Sequence, residues 1–425
     1  MSERRKNRNK RIEILKKNEV YASYQANLAF EKELNILRND FYYQMIDGKS
    51  TALVDFLYKP LDTLSGDAYS ARRIDENRTF YLLVDGMGKG VSASFTAVIM
   101  TSFINHLIDK MLEHSSFSMD MLVQESMNFI KPILLEDEVL AIDYICFDSY
   151  FSILEYAKFA MPPFLLHSRD DEIIKIKSNN TPLSKWQNSY RVDSYNVKNI
   201  DKFLFYSDGI VENITLDNKT PYSNFIEDDF KYSFTREEFK EKFYARIAEQ
   251  EDDLTLIFIN ALNMEEETLI EKKIFQTSLK DVEYATEWYE NLWQKMGVEL
   301  KTMYKAGVVF TELYMNAYEH GNLRITSKEK HRYLEEDIYF EKLHELEKEC
   351  EKTISVEVYK IKEFESKYIV TKICDEGSGF DTQILARIFR NSKKFNGRGV
   401  FVSRKNSMGI YYNSKGNCVL FLNKI

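Results

Sequence analysis

Aspartates stand at the ends or beginnings of apolar, strand-like segments in the first 263 residues of this 425-residue chain. A single Asp-Gly pair is an ordinary turn former, but four acidic motifs in one domain, three of them next to apolar strands, are hard to explain as turns alone. At such positions the carboxylates point out from the rim of a sheet. The four motifs are Ser65-Gly66-Asp67, Asp85-Gly86-Met87-Gly88-Lys89-Gly90, Tyr206-Ser207-Asp208-Gly209 and Glu251-Asp252-Asp253-Leu254.

Carboxylates that converge without Lys or Arg between them repel each other unless hard cations neutralise them. A gathering of these aspartates therefore predicts bound Mg²⁺ or Mn²⁺. Two such ions ~4 Å apart can share a water, lower its pKa towards ~7 and direct it at phosphorus. The motifs thus predict the hydrolysis of a phosphoester.

With Lys59-Pro60 before them, and in this order over residues 40–262, the motifs resemble the metal-dependent serine/threonine protein phosphatases of the type 2C superfamily, specifically the SpoIIE-like branch. The resemblance implies an αββα sandwich that holds two Mn²⁺ or Mg²⁺ ions. It leaves open whether Asp252 or Asp253 binds metal, and we favour Asp252. The ligands that it implies are Asp67, Asp85, Asp208 and Asp252, with the carbonyl of Gly86 as a further one.

One loop departs from the pattern of that family. Many relatives carry a Gly-His pair before paired prolines, where this chain has Ala160-Met161-Pro162-Pro163. We therefore expect a different loop near the site and, with it, a difference in substrate docking.

The length predicts two or three domains of ~100 to 200 residues each. We predict a helical segment over residues 1–46, a phosphatase domain over 47–263 and a second domain over 264–425, all in the α+β class. The stretch 264–271 is predicted to be a linker and 327–352 a charged, solvated helical insertion. Predicted strands cover 79–84, 146–154, 202–206 and 254–261, and predicted helices cover 90–112 and 119–134.

The N-terminal segment has an apolar stripe at helical spacing behind a basic start. It is either a solvated helix that packs on the next domain, or a coiled-coil or signal-relay helix that would make the protein a homodimer. The residues of the stripe are Phe30, Leu34, Leu37, Phe41 and Met45.

Charge and composition exclude several classes of protein. With 58 basic and 67 acidic residues the net charge is -9, which disfavours a general affinity for nucleic acid or anionic lipid. We find no apolar run long enough to span a bilayer and no signal segment, and so expect a cytoplasmic protein. The four cysteines lack a paired spacing, so neither a disulfide framework nor a zinc site is expected.

A second polar pattern lies in the C-terminal part of the chain. Glu312, Asn316 and His320 recur every four residues, which places them on one face of a helix. A carboxylate and an amide one turn apart can hold a hydrated Mg²⁺, although a polar stripe on an exposed helix has the same spacing. Further on, a predicted strand ends in Cys374-Asp375-Glu376-Gly377-Ser378-Gly379, and Asn396-Gly397-Arg398-Gly399 enters a helix. Paired glycines allow close approach of a nucleotide, and a helix start offers N–H groups to phosphates.

Residues 275–425 resemble the GHKL ATPases, most closely the anti-sigma-factor serine kinases. The resemblance implies a two-layer α/β sandwich that binds MgATP, with Glu312 as the base that takes the proton from a substrate serine. None of the six histidines has the setting of a phosphoacceptor, which favours transfer to serine over a histidine kinase. The implied nucleotide residues are Asn316 for Mg²⁺, Asp375 for the adenine amino group, Gly377 and Gly379 for the pocket, and Gly397, Arg398 and Gly399 for the phosphates.

Together the two halves predict a partner-switching regulator. A phosphatase and an opposing kinase or anti-sigma module would act on a phosphorylated anti-sigma-factor antagonist of the STAS type, with a sigma factor as a further partner. In a second interpretation the C-terminal domain only binds a sigma factor or the antagonist. In a third, the phosphatase is a degenerate scaffold.

Overall fold

The computed structural model describes residues 50–88, 90–217, 219–264, 268–382 and 398–425, with shorter stretches at 24–25, 28–29, 32–33, 35–40 and 44–45. Three β-sheets organise these residues. The first two contain the strands up to Asn263, and the third contains those from Leu269 onwards.

The first sheet has the order β1-β4-β5-β6-β7-β11, with β10 paired to β6. Apart from the parallel pair β1–β4, its strands pair antiparallel. Its strands are β1 (Arg38–Asn39), β4 (Asp67–Arg73), β5 (Arg78–Gly86), β6 (Val139–Asp148), β7 (Ile153–Phe159), β10 (Leu183–Ser184) and β11 (Asp193–Asn196).

The second sheet has the order β2-β3-β13-β12-β8-β9 and is antiparallel throughout. Its inner side chains interdigitate with those of the first sheet, for example where Tyr81 meets Phe205. Its strands are β2 (Gln44–Met45), β3 (Ser50–Lys59), β8 (Phe164–Ser168), β9 (Ile173–Ile176), β12 (Ile200–Tyr206) and β13 (Leu254–Asn263).

Helices cover the outer faces of the two sheets. On the first sheet, α1 (Val91–Glu113) buries one side over β4 and β5, and α2 (Met119–Ile130) buries one side over β6 and β7. On the second sheet, the short α3 (Asp208–Val211) is followed by α4 (Ile226–Lys231) and α5 (Arg236–Arg246). The order of layers is helix, sheet, sheet, helix, and the mixed α+β class predicted from the sequence is confirmed.

The third sheet is antiparallel, in the order β14-β15-β16-β18-β17. Helices α6 (Leu279–Lys295) and α7 (Leu300–Asn316) bury their apolar stripes against one face of it. A π-helical turn, Ala317–Asn322, continues α7. The strands are β14 (Leu269–Gln276), β15 (Thr353–Glu363), β16 (Ser366–Asp375), β17 (Gly409–Tyr412) and β18 (Cys418–Lys424).

The predicted insertion is a pair of helices, α8 (Ser327–Glu335) and α9 (Tyr339–Lys348). It is not fully solvated, because α9 buries Leu343 in the core of the third sheet and its helices. Lys330 on α8 also forms an ion pair of 2.5 Å with Glu319, which is only 1% exposed. The predicted linker 264–271 is wrong at its end, since β14 begins at Leu269.

The opposite face of the third sheet lies on the first half of the chain. Arg404, on α10 (Arg398–Lys405), donates a hydrogen bond of 2.5 Å to the buried carboxylate of Asp55 on β3. Glu238 on α5 accepts hydrogen bonds of 2.6 Å from the hydroxyl of Tyr368 and from Lys424. Apolar side chains fill the space between these pairs, namely Leu53, Phe234 and Leu262 from the first half and Tyr359, Ile361, Val370, Tyr411, Leu420 and Leu422 from the third sheet.

The prediction of one helix over residues 1–46 is wrong in its last part. Described residues from 24 to 36 are helical, but Arg38–Asn39 and Gln44–Met45 are strands that pair with β4 and β3. Leu37 of the predicted stripe is buried in the core beneath α1. Phe30, Leu34 and Phe41 lie outside the described residues, as do 1–23.

The structure qualifies the expectation about membranes and corrects the one about cysteines. Helix α1 is long and apolar enough to cross a bilayer, by length and composition alone, although half of its most apolar window is buried inside the protein. Cys374 and Cys418 are register partners on β16 and β18 and form a disulfide. Their separation of 44 residues hid this pairing from the sequence.

Candidate active site

Asp67 and Asp85 face each other across the first sheet. Asp67 opens β4 and Asp85 stands one residue before the end of β5, and the register pairs them directly. Residues directly opposite one another in an antiparallel pair project to the same face of the sheet. Asp67 is buried. The hairpin thus holds two carboxyl groups side by side.

The second sheet delivers the other predicted aspartates to the same place. Asp208 follows the end of β12, and Asp252 precedes the start of the neighbouring β13. Ser207, next to Asp208, is buried and donates a hydrogen bond of 2.6 Å from its hydroxyl to Asp67 Oδ2. This bond joins the rims of the two sheets.

The pKa values report how close these acids are. Burial, followed by the charges of Asp67 and Asp208, a hydrogen bond with Asp208 and the charge of Asp252, raises the pKa of Asp85 to about 10. Burial also raises the pKa of Asp67 well above its usual range, against the hydrogen bond from Ser207 and with the charges of Asp253 and Asp208 adding to the rise. Asp85 therefore keeps its proton at neutral pH when no cation is present.

The donor set fits a hard divalent cation. All the groups that converge are carboxylate oxygens, which Mg²⁺ and Mn²⁺ prefer. Within the described part of the chain, no three His, Cys, Asp or Glu side chains already surround one point as metal ligands. Burial and the charges of Asp67, Asp208 and Asp252 raise the pKa of Asp85, and a hard divalent cation would relieve this repulsion between the acids.

The two adjacent aspartates before β13 have different partners. Asp253 accepts hydrogen bonds of 2.6 Å from the backbone N–H groups of Leu61 and Gly66. Asp252 accepts the N–H of Asp253 at 2.8 Å and acts electrostatically on Asp85. Asp252 acts electrostatically on Asp85 and Asp253 acts electrostatically on Asp67, so our preference for Asp252 as the ligand stays a prediction.

Glycines allow the motifs to approach each other. A Cβ on Gly86 would lie 2.6 Å from the carbonyl oxygen of Ala93 in the first turn of α1, and one on Gly209 would lie 2.0 Å from the carbonyl oxygen of Asp253. The N–H of Gly86 donates to the carbonyl of Gly66 at 3.0 Å. A side chain at Gly209 would therefore push two acidic motifs apart, and one at Gly86 would push its motif away from the start of α1.

Sequence reasoning missed Glu33, which is 2% exposed in the N-terminal helical stretch. It accepts a short hydrogen bond from the hydroxyl of Tyr58 and a longer one, 3.3 Å, from the N–H of Ser65. Tyr58 also donates weakly to the carbonyl of Asp67, at 3.4 Å. Glu33 belongs to no sequence motif. Only the structure, which places this helical stretch beside Tyr58 on β3, reveals the contact.

In the C-terminal part, Asp375 and the first glycine pair lie together. Burial raises the pKa of Asp375 to about 6, while the N–H of Gly377, which donates to its Oδ1 at 2.8 Å, opposes the rise. A Cβ on Gly321 would lie 2.4 Å from the carboxyl carbon of Asp375. Gly379 has a φ of +75°, and a Cβ there would lie 1.8 Å from the carbonyl oxygen of Lys415. The glycines let the strand end, the π-helical turn and the β17–β18 turn meet.

The helix with Glu312 and Asn316 ends at Asn316, so the predicted α-helical face does not extend to His320. His320 lies in the π-helical turn and contacts the carbonyl of Ile325. Glu312 is half-buried, and burial raises its pKa while the charge of Lys330 opposes the rise. Arg398 and Gly399 open α10, which packs against α7, and Gly397 lies outside the described residues.

Comparisons with known proteins concern mainly the first half of the chain. The family model of Stage II sporulation protein E (SpoIIE) matches residues 75–261. Stage II sporulation protein E of Priestia megaterium is 24% identical over 152 residues, which are 35% of this chain and 25% of that protein. The matched region therefore spans a quarter of the length of that relative.

Solved structures with a similar fold include the RsbU and RsbW domains of a Mycobacterium tuberculosis protein, which are 13% identical to this chain. The match covers 88% of this chain and 94% of that chain, with a TM-score of 0.45. The SiaA-PP2C domain of Pseudomonas aeruginosa is 17% identical over 57% of this chain and 98% of that chain, with a TM-score of 0.47. At these TM-scores the likeness carries no argument about function. The family-model match, which includes Asp85, Asp208 and Asp252, supports a SpoIIE-type PP2C phosphatase domain in this part of the chain.

Proposed function

We propose that residues 47–263 form a metal-dependent phosphatase that removes phosphate from a serine or threonine of a regulatory protein. The observation that carries the proposal is that Asp67 and Asp85 face each other across neighbouring strands, while Ser207, next to Asp208 on the second sheet, donates a hydrogen bond to Asp67. Two Mn²⁺ or Mg²⁺ ions would be held by Asp67, Asp85, Asp208, Asp252 and the carbonyl of Gly86. When bound, such ions supply an activated water and neutralise the charge of a phosphoryl group.

The chain's own residues prepare this site. The hydroxyl of Ser207 holds Asp67 by a hydrogen bond of 2.6 Å, and Ser207 itself accepts the N–H of Thr255 at 3.3 Å. Such indirect contacts orient metal ligands and tune their basicity. Gly86 and Gly209 admit the close contact between the motifs.

We propose a phosphorylated anti-sigma-factor antagonist of the STAS type as the substrate. The support is the SpoIIE family match over residues 75–261, together with the motifs that resemble the SpoIIE-like branch. The protein would act in the cytoplasm.

For residues 264–425 we propose an MgATP site of the GHKL type. Asn316 would hold Mg²⁺, Asp375 would accept a hydrogen bond from the adenine amino group, and Gly377 and Gly379 would shape the pocket. Gly397, Arg398 and Gly399 would meet the phosphates at the start of α10. The contact of Asp375 with Gly321 and Gly377 supports a site at this strand end.

Glu312 would act there as the base for phosphoryl transfer to a serine of the antagonist. Its raised pKa supports a role in taking up a proton. The alternative is a module that binds a sigma factor or the antagonist in the presence of ATP without transfer.

The two activities would need an input that favours one of them. We propose the N-terminal helical segment as that input, because Glu33 contacts Tyr58 and Ser65 beside Asp67. A homodimer through this segment would be one way to deliver the signal.

The decisive experiment incubates the purified chain with candidate antagonist proteins, phosphorylated or not, in the presence of Mn²⁺ or MgATP. Phosphorylation of the antagonist's serine is followed by mass spectrometry. Release of phosphate that depends on Mn²⁺ supports the phosphatase. Absence of release from every phosphoserine protein and from a small phosphoester would contradict it.

A further inference from the structure

Asp253 has both carboxylate oxygens committed to backbone donors of one loop. Oδ1 accepts the N–H of Leu61 and Oδ2 accepts the N–H of Gly66, each at 2.6 Å. Short hydrogen bonds between an ionised acceptor and backbone N–H groups are among the stronger ones in proteins. The carboxylate therefore bridges two points of the chain that are more than 180 residues away from it in sequence.

The bridged segment, residues 60–66, connects β3 to β4 and leads directly into Asp67. One bond holds its beginning at Leu61 and the other holds its end at Gly66. A further hydrogen bond connects the end of this segment to the second acidic motif, because the carbonyl of Gly66 accepts the N–H of Gly86 at 3.0 Å. Asp253 is thus linked through Gly66 to the second motif.

Gly66 has little room for anything but this arrangement. A Cβ there would lie 3.2 Å from the Cβ of Ala93 and 3.5 Å from both Asp253 Oδ2 and the carbonyl oxygen of Gly86. The approach to Ala93 is tight, and the two approaches at 3.5 Å are ordinary van der Waals contacts. A shift of Asp253 would move Gly66 and, with it, the neighbouring Asp67.

We propose that Asp253 is a positioning residue that clamps the 60–66 loop, and that Asp252 alone of the pair serves as a metal ligand. The inference rests on the proposed phosphatase function. If Asp253 turned to a metal ion, the backbone N–H groups of Leu61 and Gly66 would lose their acceptor, and the loss would be costlier for the part-buried N–H of Gly66 than for the exposed N–H of Leu61. Asp252 accepts the N–H of the adjacent Asp253 at 2.8 Å and not the N–H groups of the 60–66 loop that Asp253 accepts.

The test compares Asp253→Asn with Asp252→Asn in the full chain. Hydrogen–deuterium exchange is measured without metal on peptides that cover residues 58–67, and the number of bound Mn²⁺ ions is measured by titration. For Asp253→Asn we expect exchange in this segment to be faster by about tenfold or more, with the number of Mn²⁺ ions unchanged. For Asp252→Asn we expect unchanged exchange and the loss of one Mn²⁺.

The opposite pattern overturns the proposal. If Asp253→Asn loses an Mn²⁺ while the 58–67 exchange stays as in the wild type, Asp253 is a ligand. Wild-type protein provides a second test that needs no variant. Slow exchange of the amides of Leu61 and Gly66 without metal supports the clamp, and protection that develops only after Mn²⁺ is added contradicts it.

A failure of the proposed function would look different. Wild-type protein would then neither bind Mn²⁺ nor release phosphate, whatever the exchange of the 60–66 loop. The metal-free exchange data would still decide whether Asp253 clamps that loop.

Discussion

Asp85 lies directly opposite Asp67 across two neighbouring antiparallel strands, so two acid groups share one face of a sheet at its edge. A single neutral substitution there removes a proposed metal ligand without changing the shape of the side chain. We expect Asp85→Asn to reduce Mn²⁺-dependent phosphate release from a phosphoserine protein by about 100-fold or more, in line with losses of electrostatic stabilisation. The measurement is the initial rate at saturating Mn²⁺.

The matched control is Asp62→Asn, an exposed carboxylate on the loop before the site. It should retain the wild-type rate. Retained activity in Asp85→Asn would contradict the ligand assignment.

The stability of the metal-free protein should depend on pH through Asp85. Its pKa is about 10 in the folded protein and ordinarily about 3.9 in an unfolded chain. Because the folded-state value is raised, the folded state binds the proton more tightly. The free energy of unfolding should therefore fall as pH rises from about 4 to about 10.

Thermal melts in a chelator at several pH values measure this dependence. Asp85→Asn should flatten the curve and raise the Tm at pH 8, because the amide carries no charge to bury. Mn²⁺ at ~100 times its Kd should stabilise wild type by about 2.7 kcal/mol and should stabilise the variant less. A pH curve of the variant that matches wild type would contradict the pKa assignment.

Glu312→Ala should abolish serine phosphorylation of the antagonist while MgATP still binds. The reason is that the proposed base contacts the substrate hydroxyl and not the nucleotide. Transfer is measured by mass and binding by a fluorescent ATP analogue. Glu283→Ala on the neighbouring α6, an exposed position, is the control.

Two results would change the interpretation. Phosphorylation that persists in Glu312→Ala would show that Glu312 is not the base. Tight binding of the partner by wild type without any transfer would favour the binding module.

Gly321→Ala should weaken nucleotide binding. The added Cβ would lie between 2.4 and 2.7 Å from the atoms of the Asp375 carboxyl group, so Asp375 would have to move. We expect an affinity loss of about tenfold or more, or about 1.4 kcal/mol. Gly307→Ala on α7 is the matched control, because its Cβ would meet only Glu290 Oε1, at 4.0 Å.

The control should bind nucleotide normally and be slightly more stable, since Ala is favoured over Gly in a helix by about 0.8–1.0 kcal/mol. If Gly321→Ala and Gly307→Ala bound the nucleotide with equal affinity, Asp375 would not be part of the nucleotide site.

Glu33→Gln should change the rate of the phosphatase or its response to the input. The amide would bind Tyr58 and Ser65 differently beside Asp67, and the N-terminal helical segment would lose its buried charge. The neighbouring exposed Lys32→Gln is the control. An unchanged rate with unchanged regulation, also after deletion of residues 1–40, would remove the proposed input.

Much of the fold could be predicted from the pattern of apolar residues in the sequence. The predicted helix 90–112 is Val91–Glu113, and the predicted strands 79–84, 202–206 and 254–261 lie within β5, β12 and β13. The predicted strand 146–154 is wrong, because it joins the end of β6 to the start of β7 across a tight turn. Apolar and aromatic residues continue through that turn, so periodicity alone could not locate it.

The acidic motifs were visible in the sequence because each lies beside the end or the beginning of a strand. Their convergence depends on register, which pairs Asp67 with Asp85, and on the packing of one sheet on the other. The different partners of Asp252 and Asp253 could not be predicted, since they depend on the path of the 60–66 loop. The same holds for the Cys374–Cys418 pair.

The contact between the third sheet and the first half of the chain affects how the protein can be divided. A fragment that ends near residue 264 would present Leu53, Phe234 and Leu262 to water. It would also leave Asp55 without Arg404. Large exposed apolar patches promote aggregation, so poor solubility of such a fragment would reflect its cut surface and not the quality of its catalytic centre.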